Sequence, residues 1–481
     1  MVGNLLFSSI TFLYFFLPVT LLLYYVVPKR CKNLILLMAS FFFYFWGEPK
    51  YCILMAAVIL IGYSGGRWCR KKWSRILSVV VILLFLILFK YADFCLEIFF
   101  GVTGTKILPL QLALPMGISF YTFQVISYLV DVYRGDIKAE KNLIDFGAYV
   151  TMFPQLVAGP IVRFQTLAPE LKSWRITMDK TAAGIRRFIC GLAKKILFAD
   201  VLGELVLQLD GVSEKNIWIY WIIAFSYLLQ IYYDFSGYSD MAIGLGCMLG
   251  FTFPENFNYP LVAKSITEFW RRWHMTLGTW FRDYVYIPMG GNRTGTSRWI
   301  CNVLTVWMLS GLWHGAAWNF ALWGLYFGVI LILEKFWRMA TERWQKQPAD
   351  FSGRAAAVKK RVMDVCRHMY TVILVAISFV IFRLEDGEQL KTYLGGMFGI
   401  GAGNSFDAVG CYQIQSYSVI LLVAVFGVTP VARHLLEKIQ QTKYGKMGTT
   451  VAEPFVILLL LVLCTAYLIQ GSVHPFLYFR F

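Results

Sequence analysis

The 481 residues contain five histidines, at 274, 314, 368, 434 and 474, and two of them sit where a titrating group is unusual. His314 lies in Leu309-Ser310-Gly311-Leu312-Trp313-His314-Gly315-Ala316-Ala317-Trp318-Asn319, inside a run of 35 residues (299–333) with no Asp, Glu, Lys or Arg. As one straight helix that run would be about 50 Å long, against a bilayer core of roughly 30 Å. It must therefore break, and Gly311 and Gly315 mark the place on either side of the histidine. The arm 299–312 would then be about 21 Å long, too short to cross, so His314 is expected inside the membrane profile. An ionisable group at that depth is a candidate functional residue, and the plainer alternative is a histidine that hydrogen-bonds a neighbouring helix. Near neutral pH an imidazole can take the proton of a hydroxyl while that oxygen attacks an ester or thioester carbonyl. Acyl transfer is one chemistry this allows; a proton relay in a carrier is another.

His274 lies in Ile266-Thr267-Glu268-Phe269-Trp270-Arg271-Arg272-Trp273-His274-Met275-Thr276-Leu277-Gly278-Thr279-Trp280-Phe281-Arg282-Asp283-Tyr284. At 100° per residue, Trp270, Trp273, His274, Leu277, Phe281 and Tyr284 share one face, and Glu268, Arg271, Arg272, Thr279, Arg282 and Asp283 the other. This pattern predicts one amphipathic helix lying at a membrane interface, with His274 in the apolar stripe. A tryptophan-belt helix with an incidental histidine would look the same.

The elements that must hold these residues follow from composition. The chain is 58% hydrophobic and 15% charged. With Gly counted and Tyr left out, the apolar share is about 60%, against about 45–50% in globular chains, where about 25% of residues are charged. This predicts an all-α polytopic membrane protein and excludes disorder, collagen and a disulfide scaffold. Ten cysteines, none in a Cys-x-x-Cys pair, point to packing rather than to metal binding. Charge-free or nearly charge-free runs at 1–27, 33–47, 51–66, 76–89, 107–130, 143–162, 216–233, 241–254, 299–333, 368–382, 414–432 and 454–473 predict about eleven spans plus re-entrant and interfacial helices. The first run lacks the basic start and cleavage site of a signal peptide, so it is read as a retained span.

The net charge of +17 gathers in loops 28–32 (+3), 67–75 (+5), 163–195 (+6), 264–298 (+4), 334–367 (+5) and 433–446 (+3), whereas 383–413 carries −2. Basic loops stay in the cytoplasm, so the N-terminus and the tail from His474 are expected outside. Anionic lipid headgroups, rather than nucleic acid, are the expected partners of this charge. The whole chain reads as a single membrane domain, with 334–367 as a partly helical cytoplasmic loop and no separate soluble domain.

Three other stretches stand out. Pro154-Gln155-Leu156-Val157-Ala158-Gly159-Pro160 fits a re-entrant turn. The acids of Asp234-Phe235-Ser236-Gly237-Tyr238-Ser239-Asp240 could line an aqueous funnel, cap helices or pair with arginines. Pro254-Glu255-Asn256-Phe257-Asn258-Tyr259-Pro260 is a polar turn leading into the His274 segment. No phosphate loop, Gly-x-Ser-x-Gly elbow or His-Glu-x-x-His is present, which counts against a nucleotide-driven pump, a serine hydrolase and a zinc protease. No metal site is expected.

Trp270 to Leu277, Trp280 to Tyr284, Ile287-Pro288-Met289-Gly290-Gly291-Asn292-Arg293 and Gly311 to Gly315 resemble the membrane-bound O-acyltransferase family. So do Leu5 to Ser9, Phe45 to Pro49, Pro115 to Phe123, Gln155 to Pro160, Asp234 to Asp240 and the closing Tyr478-Phe479-Arg480-Phe481. The resemblance runs nearly end to end. It is nearest to the bacterial branch of the alginate O-acetylation membrane protein and the teichoic acid D-alanyl transferase, and within it to the alginate-type group.

The resemblance implies helices around a thinned centre, where two funnels meet near a catalytic histidine. His314 matches that histidine and His274 matches a second, supporting one. It implies a cytoplasmic thioester donor, acetyl-CoA in the alginate-type group and a carrier-protein thioester in the D-alanyl group, with no permanently bound cofactor. It also implies a polysaccharide acceptor, and as partner an extracytoplasmic SGNH-type transferase or a small membrane protein. The expected activity is acyl transfer, most simply of acetyl, to an exported or wall-associated glycan, with His314 as general base. Trp313, Asn319, Arg282 and Asp283 complete the candidate substrate-binding set. D-alanyl transfer and, from another class, a proton-coupled transporter or flippase are the alternatives, and a scaffold with degenerate histidines is a third.

Overall fold

The computed structural model describes residues 5–68, 72–105, 108–173, 175–344, 354–403, 408–471 and 476–477. Every regular element among them is helical. Among the described residues, five helices are long and apolar enough to cross a bilayer: Pro49–Arg67, Ile76–Thr103, Trp318–Thr341, Ala357–Arg383 and Lys443–Ile469. The pair Ala408–Ser416 and Ser418–Gly427, bent by 51°, makes a sixth if it is one span. This is fewer than the about eleven expected from the apolar runs. The remaining runs fold into shorter, broken or more polar helices. The first is a 15-residue helix, Phe12–Val26. The run from 107 yields a helix only from Ile118, because Pro109 and Pro115 interrupt it and Gly117 turns the chain at φ +71°.

Two compact units are present. The first comprises Met1–Ile196, Asp234–Glu255 and Val456–Phe481. Its core is aromatic: Phe7, Phe12, Phe43 and Phe153 meet edge-on or tilted, and Tyr238 stacks on Phe7 at 4.9 Å. The Met178–Ala193 helix crosses residues 234–248 through two glycine pairs. A Cβ on Gly184 would lie 2.6 Å from the Gly244 carbonyl oxygen, and one on Gly191 would lie 2.6 Å from that of Gly237. Contact this close needs small residues on both sides.

At this crossing the Asp234 to Asp240 acids pair with bases. Asp240 takes Arg187 at 2.9 Å and Lys194 at 2.6 Å, and buried Lys195 meets buried Asp234 at 2.7 Å. Of the roles expected for these carboxylates, pairing is the one observed. The 152–162 segment is buried throughout and largely non-helical, with only Phe153–Leu156 forming a turn. Side chains satisfy part of its backbone: Tyr149 Oη donates to the Val162 carbonyl and Ser40 Oγ accepts from Phe153 N.

The second unit comprises Leu197–Tyr233 and Asn256–Phe455 and carries both candidate histidines. The 334–367 insert is helical wherever it is described: Trp318–Trp344 extends into it from one side and Arg354–Arg383 from the other, and 345–353 lie outside the described residues. The His474 tail, apart from Phe476 and Leu477, and the closing 478–481 motif also lie outside the described residues, as does Cys69. None of the nine described cysteines forms a disulfide.

Candidate active site

The run 299–333 breaks where its glycines predicted. The first helix, Thr296–His314, ends on the histidine, Gly315 is extended, and a second helix starts at Trp318. The first arm has 19 residues rather than 14, because it begins three residues earlier and includes the histidine. Its length is about 28 Å, close to the bilayer core, so arm length alone does not set the depth of His314.

The hairpin closes on glycine. A Cβ on Gly311 would sit 2.2 Å from the Phe320 carbonyl oxygen, and one on Gly324 would sit 2.3 Å from that of Trp307. At Gly315 a Cβ would lie 2.1 Å from the Phe320 ring. Backbone-to-backbone packing of the two arms therefore fixes the position of the helix end that carries His314.

His314 is buried in an aromatic box. Its ring lies 4.9 Å from Trp313, 5.1 Å from Trp323 and 5.3 Å from Phe382, all edge-on. Trp270 supports the box from behind, edge-on to Trp323 at 5.5 Å and to Trp307 at 4.7 Å. Asn319 is buried on the second arm, where its Nδ2 donates to the Phe382 carbonyl at 2.9 Å. Because that carbonyl can only accept, the amide orientation is fixed, and the bond ties the start of the second arm to the end of the Arg354–Arg383 helix.

The His274 segment departs from the predicted single helix. It forms Ile266–Trp270 and Met275–Phe281 with a break between them, followed by a π-turn at Arg282–Tyr286. His274 occupies the break in the left-handed region, at φ +44° and ψ 52°. A left-handed histidine costs about 1–3 kcal/mol, which the surrounding contacts must offset. The turn 256–258 supplies them. Met275 N donates to the Asn256 carbonyl at 3.0 Å, and Asn258 N donates to the Arg272 carbonyl at 2.9 Å. The Asn256 side-chain oxygen accepts from Thr276 N at 3.3 Å and Thr276 Oγ1 at 2.9 Å, and it lies 3.0 Å from His274 Nδ1. A helical wheel cannot register these bonds from another segment, and they are what break the helix.

This geometry fixes a tautomer. A backbone N–H only donates, so the Asn256 atom facing Thr276 is the oxygen, and His274 Nδ1 must carry the hydrogen. Burial pushes the His274 imidazole down to about 3, so the ring is neutral and Nε2 holds its lone pair. The apolar setting expected for His274 is observed, since the side chain is buried.

The two histidines belong to one cluster. The His274 ring is 5.9 Å from Trp313, which is itself 4.9 Å from His314. Of the four other candidates, Trp313 lies between the histidines and Asn319 braces the box. Arg282 and Asp283 form an ion pair with each other at 2.6 Å on the π-turn.

Sequence reasoning did not single out Asn256, Thr276, Trp323 or Phe382. Trp323 lies in the same apolar run as His314 and could have been found by folding the run back on itself at Gly315. Phe382 is 68 residues from His314 and carries no local signal.

The Glu334 side chain completes the frame. Its carboxylate accepts from Ile266 N at 2.6 Å and Thr267 N at 2.9 Å, capping the helix that leads to the His274 break from the helix that follows His314. Among the described residues no group of His, Cys, Asp and Glu could hold a metal ion.

The membrane-bound O-acyltransferase family model matches residues 137–380, a stretch that includes both histidines, Trp313 and Trp323. The chain is 38% identical to a probable alginate O-acetylase of Pseudomonas putida, over 99% of this chain and 100% of that protein. It is 32% identical to a peptidoglycan O-acetyltransferase of Helicobacter pylori, over 69% of this chain and 65% of that one. A teichoic acid D-alanyltransferase of Bacillus subtilis is 30% identical over 48% of this chain and 60% of its own.

Proposed function

Because the chain belongs to the membrane-bound O-acyltransferase family, and is by that membership a multi-pass membrane enzyme, we propose that it transfers an acetyl group from a cytoplasmic thioester to a hydroxyl, for O-acetylation of an exported or wall polysaccharide, with His314 as general base. The observation that carries this reading is the aromatic box. It buries His314 at a helix end fixed by glycine contacts, with Trp313 between it and a neutral, oriented His274.

In the proposed step, the acceptor oxygen attacks the thioester carbonyl carbon while His314 takes the hydroxyl proton. The C–S bond then breaks, the thiolate leaves and recovers the proton, and the products are an ester and a free thiol. The dry aromatic wall strengthens the electrostatic interactions of the transferring proton. His274, with Nδ1–H held by Asn256, offers Nε2 as a second acceptor through which a proton or the hydroxyl is oriented. Asn319 and Trp313 shape the wall, and we assign Arg282 and Asp283 to the substrate approach.

The acceptor is either the glycan itself or a hydroxyl on an extracytoplasmic SGNH-type partner that completes the transfer. In the proposed topology the basic loops, 334–367 among them, lie in the cytoplasm against anionic lipid, and the N-terminus and the C-terminal tail lie outside. His314 sits between the two aqueous approaches.

The test is thiol release from acetyl-CoA by the purified full-length protein, with and without an acceptor, in the wild type and in His314→Ala. Loss of about 10²–10⁴-fold in the variant supports the reading, and equal rates reject it. Turnover with a D-alanyl carrier-protein thioester but not with acetyl-CoA would shift the assignment to D-alanyl transfer.

A further inference from the structure

The Val431–Gln440 helix is amphipathic in an inverted sense. Arg433, His434 and Glu437 line a cavity of about 350 Å³ between this helix and the protein, together with Asn258, Tyr259 and Arg272. Val431, Leu435, Leu436 and Ile439 are instead 43–52% exposed. At 100° per residue the two sets fall on opposite sides of the helix. An amphipathic helix packed on a water-soluble protein turns its apolar side inward; this one turns its polar side inward and its apolar side out.

We propose that the cavity holds the headgroup of an anionic glycerophospholipid of the phosphatidylglycerol type, whose acyl chains lie along the outer apolar face of Val431–Gln440. The inference goes beyond the acyltransferase reading and shares only its topology.

The position of the helix supports a lipid. It lies between the bent pair that ends at Gly427 and the apolar Lys443–Ile469 helix, so a bilayer crossed by both holds it at the surface. The loops that supply the arginines, 264–298 at +4 and 433–446 at +3, are both basic, which assigns them to the cytoplasmic leaflet, where anionic lipids give the surface its negative potential.

The lining supports an anionic headgroup. Two arginines against one carboxylate leave it positive. Arg272 is anchored by Glu268, at 3.0 Å from Nε and 2.9 Å from Nη2, and its Nη1 donates to the Asn258 carbonyl at 3.2 Å. Arg433 Nε donates to Glu437 at 2.8 Å. A guanidinium has five N–H donors in a planar fork, so one anchored on an edge still offers donors to a phosphodiester. Glu437 and Asn258 supply acceptors for the hydroxyls of a glycerol headgroup. A choline or ethanolamine headgroup would instead bring a further cation between the two arginines. A soluble phosphate would use the cavity and leave the apolar face bare, whereas a lipid uses both.

The experiment titrates the full-length protein, in a neutral detergent, with dioctanoyl phosphatidylglycerol, phosphatidylcholine and phosphatidylethanolamine and with glycerol phosphate, and counts bound molecules by native mass spectrometry. Phosphatidylglycerol should bind about ten- to thirtyfold more tightly than phosphatidylcholine, the effect of two arginines on one anionic headgroup. Glycerol phosphate, which lacks the chains, should bind at least about tenfold more weakly than the lipid. Arg433→Glu should bring the lipid preference toward unity, and Arg433→Lys should keep part of it. The Arg433 side chain is two-thirds exposed, so both variants are expected to fold.

Equal binding of phosphatidylglycerol and phosphatidylcholine, or a preference unchanged in Arg433→Glu, overturns the proposal. Tighter binding of phosphatidylethanolamine also overturns it and gives Glu437 to an ammonium. Glycerol phosphate that binds as tightly as the lipid overturns it and assigns the cavity to a soluble phosphate. No turnover is read, so an inactive protein that keeps the lipid preference rejects the acyltransferase reading alone, and an active one without the preference rejects the lipid site alone.

Discussion

Replacing Asn256 by alanine should dismantle the His274 break. Asn256 is fully buried, and its side-chain oxygen serves His274 Nδ1, Thr276 N and Thr276 Oγ1. The alanine variant strands two buried N–H groups, one on His274 and one on Thr276, at about 1–3 kcal/mol each. The Thr276 hydroxyl can rotate to another acceptor, so the direct loss is about 2–6 kcal/mol. That is a large fraction of the roughly 5–15 kcal/mol that holds a typical fold. It also exceeds, or at least equals, the cost of keeping His274 left-handed, so the segment should relax and the histidine should leave its tautomer.

Asn256→Asp keeps the acceptors but places a carboxylate beside Nδ1, which favours the imidazolium and raises the His274 pKa from its value of about 3. The assay is thermal unfolding in detergent together with acyl transfer across pH. The alanine variant should melt several degrees lower and lose activity. The aspartate variant should melt closer to the wild type but show altered pH dependence. An alanine variant that matches the wild type in both melting and turnover would refute the claim that Asn256 positions His274.

Four further outcomes follow from the geometry. His274 is neutral in the fold, with a pKa lowered from 6.5 to about 3 by burial, so the unfolded chain binds the extra proton between those values. This residue should therefore reduce stability as pH falls, by up to about 1.4 kcal/mol per pH unit between about 6.5 and 3, and have no effect above that window, which a melting series in His274→Gln against the wild type would reveal. Gly315→Ala should displace the Phe320 ring and with it the end of the His314 helix, costing about 1–3 kcal/mol and most of the activity; unchanged melting and turnover would contradict the packing. Lys195→Met should destabilise by about 3–5 kcal/mol by leaving Asp234 buried without its cation, and Lys195→Met with Asp234→Leu should recover much of that, as read by expression and melting. Trp313→Ala should uncouple the two histidines and lower turnover, whereas Trp313→Phe should retain part of it, as measured by thiol release.

Features with a short-range cause were legible in the sequence. A 35-residue apolar run cannot be one helix across a bilayer, and its glycines showed where it would turn; the structure places His314 at that turn. The apolar stripe placed His274 inward correctly. The Asp234 to Asp240 acids pair with bases, one of the roles that their position offered, and the two glycine pairs at the 184–191 and 237–244 crossing bring those bases close.

What the sequence hid depends on distant contacts. The wheel predicted a continuous helix from 266 to 284 because it contains no term for the Asn256 turn, whose bonds compete with the helix. Phe382 enters the box from a helix that begins 40 residues past His314. Apolar runs and long apolar helices differ in number because a run records composition, whereas a span-length helix must also be unbroken, and Pro109, Pro115 and Gly117 prevent one before Ile118.

The most direct test of the central claim is the rate of acetyl transfer from acetyl-CoA by purified His314→Ala, with thiol release and product ester measured together and with folding checked by melting. The account predicts a well-folded protein whose transfer rate is down by about 10²–10⁴-fold. A folded variant that transfers acetyl at the wild-type rate would show that the base lies elsewhere and that the aromatic box around His314 is only a packing feature.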